Sequence, residues 1–213
     1  MIIAIDGPAG AGKGTLGKRL AADLGFAHLD TGLLYRAVGA KLLAAGIIEP
    51  TDAEATAAAR TLTPADLENP QSLRSETVGN AASKVAAIQG VRDALFAFQR
   101  EFATKPPGGA AGAILDGRDI GTVICPDADL KLYLTASIEA RARRRFQELQ
   151  AAGDKRIYAE ILKDVEERDR RDSARATAPL RPATDAVVID TTDKDAATVY
   201  AIAMDWIRRL GQR

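Results

Sequence analysis

The sequence predicts an α/β fold in which a parallel sheet is covered by helices on both faces. Three observations point there. Apolar runs of strand length recur at residues 1–5, 26–29, 113–115, 130–134 and 186–189. Segments with helical periodicity separate them, and several runs end on an aspartate, which marks a strand emerging at the edge of a sheet. Strands alternating with helices need crossover connections, and those make parallel sheets. In chain order, the first strand is closed by Asp6 and followed by a glycine-rich stretch. A helix then carries Leu16, Leu20 and Leu24 on one face and stops at Gly25. The second strand leads into a helix over residues 33–45 that Gly46 terminates, and the runs at 113–115 and 186–189 end in Asp116 and Asp190.

Two stretches lie outside this alternation. Residues 49–76 are Ala-rich, with two basic and six acidic residues and Pro50, Pro64 and Pro70, and are expected to be an irregular or helical insertion without a strand. Residues 141–175 hold eleven basic and eight acidic residues in helical composition broken by Gly153, a charged excursion with little core. Residues 196–210 place Val199, Ala203, Trp206 and Leu210 near helical spacing and are expected to close the fold, with Trp206 in the core. The whole chain, 213 residues, is one domain's worth of core, 46% hydrophobic and 27% charged. Lys plus Arg and Asp plus Glu balance at 29 each, which excludes a uniformly basic nucleic-acid-gripping surface. A single cysteine, Cys125, cannot form an internal disulfide, and no leader or membrane-length apolar run is present, so a reduced cytoplasmic compartment is expected.

The glycine-rich stretch is Gly7-Pro8-Ala9-Gly10-Ala11-Gly12-Lys13-Gly14-Thr15, a phosphate-binding P-loop in which Gly14 stands where Ser or Thr is usual and Thr15 follows one residue later. Glycines let successive N–H groups face one concavity, the helix start adds partial positive charge, and Lys13 can reach the outer phosphates of a triphosphate. The glycine spacing does not match a dinucleotide fold. Residue 14 has no hydroxyl to ligate a metal, so Mg²⁺ is expected to be held by phosphates and water, with Asp116 in its outer sphere. Asp6 reads either as a loop-orienting group or as a strand cap.

Three polar clusters follow. Asp30-Thr31-Gly32-Leu33-Leu34-Tyr35-Arg36 sets a hydroxyl, an aromatic ring and a guanidinium just after the second strand, where ligand crevices open. Asp116-Gly117-Arg118-Asp119 follows another strand, and Arg118 can clamp phosphate with two N–H groups. In the run from Glu167 to Arg175, helical spacing puts Arg168, Arg171, Asp172 and Arg175 on one face. A solvated, salt-bridged helix would account for the third cluster alone, but not for all three.

Together with the Gly-Lys-Gly-Thr ending of the loop, the Asp-Thr-Gly-Leu-Leu-Tyr-Arg, Asp-Gly-Arg-Asp-Ile-Gly-Thr and Arg-Asp-Arg-Arg-Asp-Ser-Ala-Arg-Ala-Thr-Ala-Pro-Leu segments resemble the bacterial cytidylate kinase family over nearly the whole chain. The last two segments separate that family from adenylate and thymidylate kinases. The resemblance implies a P-loop NTPase fold with a five-stranded parallel sheet in one domain: core 1–36, 110–140 and 176–213, a nucleoside-monophosphate-binding region near 37–109 and a lid near 141–175. It implies transfer of the γ-phosphoryl of ATP, with Mg²⁺, to CMP or dCMP by a monomer that needs neither nucleic acid nor membrane. Lys13, Arg118 and Arg168 are the implied catalytic residues. Acceptor-phosphate contacts fall on Arg36 and Arg118, sugar contacts on Thr31, Arg168 and Asp172, and cytosine contacts on Ser83, Arg92 and Asp119, supported by Arg175; Tyr35 belongs to the same substrate cluster. Thr31 replaces a serine common in relatives, and its methyl is expected to crowd the sugar. Residues 62–74 are too short and proline-broken for the small three-stranded sheet that many relatives insert. Some of Arg141, Arg143, Arg144 and Arg145 are expected to swing onto ATP.

Other readings are weaker. An adenylate, shikimate or dephospho-coenzyme A kinase would share the loop without needing Ser83, Arg92 and Asp119 together. A guanine-nucleotide switch would want Asn-Lys-x-Asp, and Thr192-Asp193-Lys194-Asp195 lacks the asparagine. A nucleic-acid module resting on residues 141–145 conflicts with the neutral charge. His28 and Cys125, each the only residue of its type, build no metal cluster and read as packing residues.

Overall fold

The computed structural model describes residues 1–151 and 153–211. Five strands form one wholly parallel sheet: β1 (Ile2–Asp6), β2 (Ala27–Asp30), β3 (Ala113–Gly117), β4 (Leu130–Thr135) and β5 (Val187–Asp190), in the order β2-β3-β1-β4-β5. Each falls within about two residues of the apolar run that predicted it. Strands β1 and β3 are almost wholly buried because helices cover both faces, which explains their continuous rather than alternating apolar pattern. The chain reverses its direction of progress across the sheet at β1, flanked by β3 and β4, and that switch point is where an open α/β sheet leaves a crevice at its carboxyl ends. The register seats Asp30 beside Asp116 and Asp6 beside Gly117, so three strand-end aspartates reach the same edge.

Helices α1 (Lys13–Leu24) and α8 (Ala196–Leu210) pack with the sheet around Ile3, Ile5, Leu20, Leu132 and Leu134. The closing helix has the predicted bounds, but its buried face is Val199, Ala203 and Ile207, an i, i+4, i+8 stripe. Trp206 falls one position off that stripe. It lies at the rim, 36% exposed, with the Arg209 guanidinium 5.4 Å from its ring, and so is not the core residue expected. The opposite face of the sheet holds Ala4, Leu115, Ile120 and Cys125.

Between β2 and β3 the chain builds a helical layer: α2 (Thr31–Ala44), α3 (Asp52–Arg60), α4 (Glu76–Val85) and α5 (Gln89–Thr104). It carries a small core of its own, Leu34, Val38, Leu42, Ala55, Val85, Val91 and Leu95. Residues 62–74 contain two short 3₁₀ turns, Pro64–Leu67 and Ser72–Arg74, and no strand, as the prolines and the lack of period-2 pattern implied. Between β4 and β5, the charged excursion is a two-helix hairpin, α6 (Ile138–Ala151) and α7 (Tyr158–Ala174), with few apolar contacts beyond Leu149, Ile161, Val165 and an edge-to-face Phe146–Tyr158 pair. Salt bridges such as Arg156 to Asp154 and Asp164 cover the rest. Among the described residues, no helix is long and apolar enough to cross a membrane.

Candidate active site

A cavity of about 300 Å³ opens at the carboxyl edge of the sheet, between the P-loop, the helical layer and the hairpin. On one side stand Ala9, Gly10, Gly12, Lys13, Gly14 and Thr15. Their geometry follows from local sequence. Gly7, Gly10 and Gly12 all take positive φ, and a Cβ at Gly7 would overlap the Leu134 carbonyl oxygen of β4. Gly12 precedes α1 in the left-handed region without a side-chain cap, and the first turn of α1 holds no acidic residue, so its N–H groups and partial positive charge face the cavity unanswered. Gly7, Pro8 and Ala11 lie beneath this wall rather than on it. Pro8 accepts a 2.8 Å hydrogen bond from Lys13 Nζ, and the Ala11 carbonyl accepts one from Thr191 Oγ1 at 3.2 Å.

Lys13 is 7% exposed, and burial, with Arg118 next, pulls its amine down to about 7. Among the described residues no carboxylate forms a salt bridge with it, and the nearby charges of Asp116 and Asp30 do not offset the burial. A buried cation without a bonded counter-ion suits an anionic ligand.

The opposite wall is made of side chains from distant parts of the chain. Thr31, Tyr35 and Arg36 come from α2, Ser83 from α4, Arg92 from α5, Arg118 and Asp119 from the turn after β3, and Arg168, Asp172 and Arg175 from the end of α7. Every one of these sequence-predicted positions lines the cavity. Arg171, expected on the same face, turns instead to Asn80 Oδ1 at 2.9 Å. Asp172 is 1% exposed and accepts from Arg118 Nε at 3.0 Å, from Ser83 Oγ at 3.2 Å and from Arg175. Burial opposes its charge, but Arg118 and then Arg175 outweigh that and hold the carboxyl below its usual range. Arg92 and Asp119 form a second buried pair, each about 5% exposed; burial nevertheless raises the Asp119 carboxyl, with Arg92 pulling the other way. Arg168 has no carboxylate bonded to it, its Nε is buried without a partner, and burial followed by Arg118 lowers its guanidinium to about 9. Arg36 donates to the Leu73 and Ser75 carbonyls at 2.7 and 3.2 Å, and burial, then Arg145, brings it down to about 10. Cations thus outnumber anions around the cavity's centre.

Asp6 resolves to the loop-orienting role. It takes the backbone N–H groups of Ile120 and Gly121 at 2.8 and 2.7 Å, capping the π-helical turn Ile120–Ile124 that presents Arg118 and Asp119. Burial raises its carboxyl to about 6. Thr31 spends its hydroxyl proton on the Asp116 carbonyl at 2.8 Å, tying the start of α2 to β3.

His28 does more than fill space: its Nε2 lies 2.7 Å from Asp116 Oδ2 and orients that carboxylate, and the missing Cβ of Gly17 makes room for the ring. Cys125 is buried packing, as expected. Asp30 and Asp116 sit side by side at the strand ends, and burial, then the negative charge of Asp116, raises the Asp30 carboxyl. Among the described residues no three metal-ligating side chains cluster. The donor set, two neighbouring carboxylates beside a phosphate cradle, fits a hard divalent cation such as Mg²⁺ that keeps several of its waters.

Sequence reasoning missed Lys18, Asp30 and Arg74 on this cavity. Arg74 lies in the aperiodic stretch and reaches Asp30 at 3.3 Å, a pairing no local pattern announces. The hairpin arginines divide into two groups. Arg141 is bonded to Asp169 and to the carbonyls of Ala9 and Ala136, while Arg144 donates to Gly10, Thr191 and Thr192. Both brace the P-loop backbone from behind, Arg143 is exposed, and only Arg145 lines the cavity.

With these cations converging on a P-loop, comparison with known proteins decides the family: residues 3–209 match the model described as cytidylate kinase. The chain belongs to the cytidylate kinase family. A cytidylate kinase of Paramagnetospirillum magneticum is 60% identical over 204 residues, 95% of each protein, and one of Rhodospirillum rubrum is 54% identical over the full length of both. A solved structure of an uncharacterized protein from Eubacterium ventriosum superposes with a TM-score of 0.54 at 15% identity, covering 98% of each chain, and supports the fold alone. The chain is therefore an enzyme of the kinase class.

Proposed function

We propose that this chain transfers the γ-phosphoryl group of ATP to the phosphate of CMP or dCMP, giving ADP and the pyrimidine diphosphate. The observation that carries the reading is the pairing of an unanswered Lys13 and P-loop with an arginine-lined wall across one cavity. The P-loop, from Gly7 to Thr15, takes the donor's phosphates. The acceptor is already an anion, so no general base is needed, and catalysis reduces to alignment and charge neutralisation. One pair of unit charges about 4 Å apart repels by about 4 kcal/mol at an effective dielectric near 20, and two phosphate chains bring several such pairs.

Lys13, Arg118 and Arg168 supply the opposing charge. Arg36 and Arg118 hold the acceptor phosphate, Arg168, Asp172 and Thr31 its sugar, and Tyr35 packs beside the base. Asp119 accepts from the exocyclic amine of cytosine, while Arg92 donates to its ring nitrogen and carbonyl, with Ser83 and Arg175 completing that end. Mg²⁺ supplies charge compensation on the donor phosphates when bound, with Asp116 and Asp30 positioned to hold its waters. The helical layer serves as the monophosphate-binding region and the α6–α7 hairpin as the lid. The assembly expected is a monomer. The internal bonding of Arg141 and Arg144 argues against a nucleic-acid surface, and a cytoplasmic setting is the compartment that the single cysteine of the sequence fits.

Steady-state ADP release with a panel of nucleoside monophosphates tests the reading. CMP and dCMP are expected to turn over at least about a hundredfold more efficiently than UMP, whose carbonyl would face the Asp119 carboxylate. Comparable UMP turnover would overturn the base assignment, and turnover of AMP or shikimate alone would overturn the substrate class.

A further inference from the structure

Helix α4 carries Glu76, Asn80 and Ser83 at i, i+4 and i+7, a spacing that puts three polar side chains on one stripe. Each bonds a residue of the α6–α7 hairpin. Glu76 Oε2 accepts from Arg145 Nη2 at 2.8 Å and Nε at 3.2 Å, Asn80 Oδ1 accepts from Arg171 Nη2 at 2.9 Å, and Ser83 Oγ donates to Asp172 Oδ1 at 3.2 Å. Glu76 and Arg145 are about one-fifth exposed. Arg145 also donates to the Arg74 carbonyl at 3.1 Å, which joins the hairpin to the residues just before α4.

Only Ser83 has a part in the reaction described above. Glu76 and Asn80 touch no expected substrate position, yet they fasten the hairpin between the points where it brings Arg168 and Asp172 to the acceptor wall. The Glu76 carboxylate also opposes the positive charge of Arg36 and Arg168. We propose that Glu76 and Asn80 are positioning residues: they lock the hairpin onto α4 through Arg145 and Arg171, and so set where Arg168 stands relative to the acceptor phosphate. The inference rests on the phosphotransfer reading. The physical reason is that Arg168 Nε is buried without a hydrogen-bond partner and, among the described residues, no carboxylate forms a salt bridge with its guanidinium, so the helix that carries it must be held by its neighbours. Carboxylate-to-guanidinium bonds with two N–H groups on one acceptor are directional enough to do that. The donor side is held separately by Arg141 and Arg144 on the P-loop backbone.

The test compares Asn80→Leu, Asn80→Asp and Glu76→Gln with wild type by thermal unfolding, by affinity for a fluorescent ATP analogue, and by kcat and KM for CMP. Asn80→Leu and Glu76→Gln are expected to lower kcat/KM for CMP by about tenfold, which is 1.4 kcal/mol of transition-state stabilisation. Affinity for the ATP analogue is expected to stay within about twofold. Asn80→Asp keeps an acceptor facing Arg171 and is expected to retain wild-type kinetics. The proposal is overturned if Asn80→Leu and Glu76→Gln keep full CMP kinetics. It is equally overturned if all three variants lose donor affinity and CMP turnover in parallel with melting temperature, because that pattern reports general loosening. Failure of wild type itself to phosphorylate CMP would instead sink the functional reading.

Discussion

The two walls of the cavity gather positive charge by opposite means. The donor wall comes from one contiguous stretch, Gly7 to Thr15, whose backbone does most of the work: glycines at positive φ aim N–H groups, and one helix start adds its field. The acceptor wall is assembled from side chains of α2, α4, α5, α7 and the turn after β3, held by ion pairs with little exposure. The difference teaches where each wall is vulnerable. Backbone cradles fail when a Cβ is added, whereas ion-pair walls fail when a charge is taken away.

The largest expected effect lies on the acceptor wall. Arg118→Met removes the cation that bonds Asp172 and that we propose holds the acceptor phosphate, and kcat is expected to fall by about a thousandfold in a coupled ADP-release assay. Retention of wild-type turnover would show that the acceptor phosphate sits elsewhere. On the donor wall, Gly7→Ala forces a Cβ into the Leu134 carbonyl at φ +145°. It is expected to cost at least about 1–3 kcal/mol in chemical unfolding and to weaken ATP binding. If it proves neutral, the cradle's dependence on backbone shape is refuted.

The loop-orienting contact that joins the walls comes next. Asp6→Asn replaces one of two acceptors with an NH₂ facing a buried N–H, so a loss of about 1–3 kcal/mol is expected in urea unfolding. CMP affinity should fall with it, because the turn that carries Arg118 and Asp119 loosens.

The smallest effect is a pH dependence. Lys13 titrates near 7 in the folded chain against 10.5 ordinarily, so between those values the unfolded state binds more protons. Stability should therefore rise with pH across that window, by at most about 1.4 kcal/mol per pH unit, and this contribution should vanish in Lys13→Met. Equal slopes for the two proteins between about pH 7 and 9 would mean that Lys13 is not depressed.

The same contrast explains what could be read in advance. The donor wall is contiguous, and its glycine, lysine and helix appear in order, so it was legible from Gly7 to Thr15. Most of the acceptor wall showed as three polar clusters around Arg36, Arg118 and Arg168, but Ser83 and Arg92 were legible only through resemblance, because they stand in ordinary helical sequence and nothing local sets them beside Asp119. Asp30 as a second carboxylate near Asp116 needed the β2–β3 register. Nothing local separated Arg144 from its neighbours Arg141, Arg143 and Arg145; its bond to Thr191, 47 residues away, is what makes it a brace for the loop. Trp206 misled because an i, i+3 spacing and an i, i+4 spacing both look helical, and the packing of α8 chose the second.

Strand order of appearance, helix caps, the phosphate loop and the absence of strand character in residues 62–74 were properties of the sequence alone, since each depends on interactions within about one turn or one alternation of the backbone. The pairing of strands as β2-β3-β1-β4-β5, the meeting of arginines from α2, α5 and α7, and the fastening of α4 to the hairpin were decided by tertiary structure. Those features join residues dozens of positions apart, and a charge on an isolated segment carries no mark of the partner that burial will impose on it.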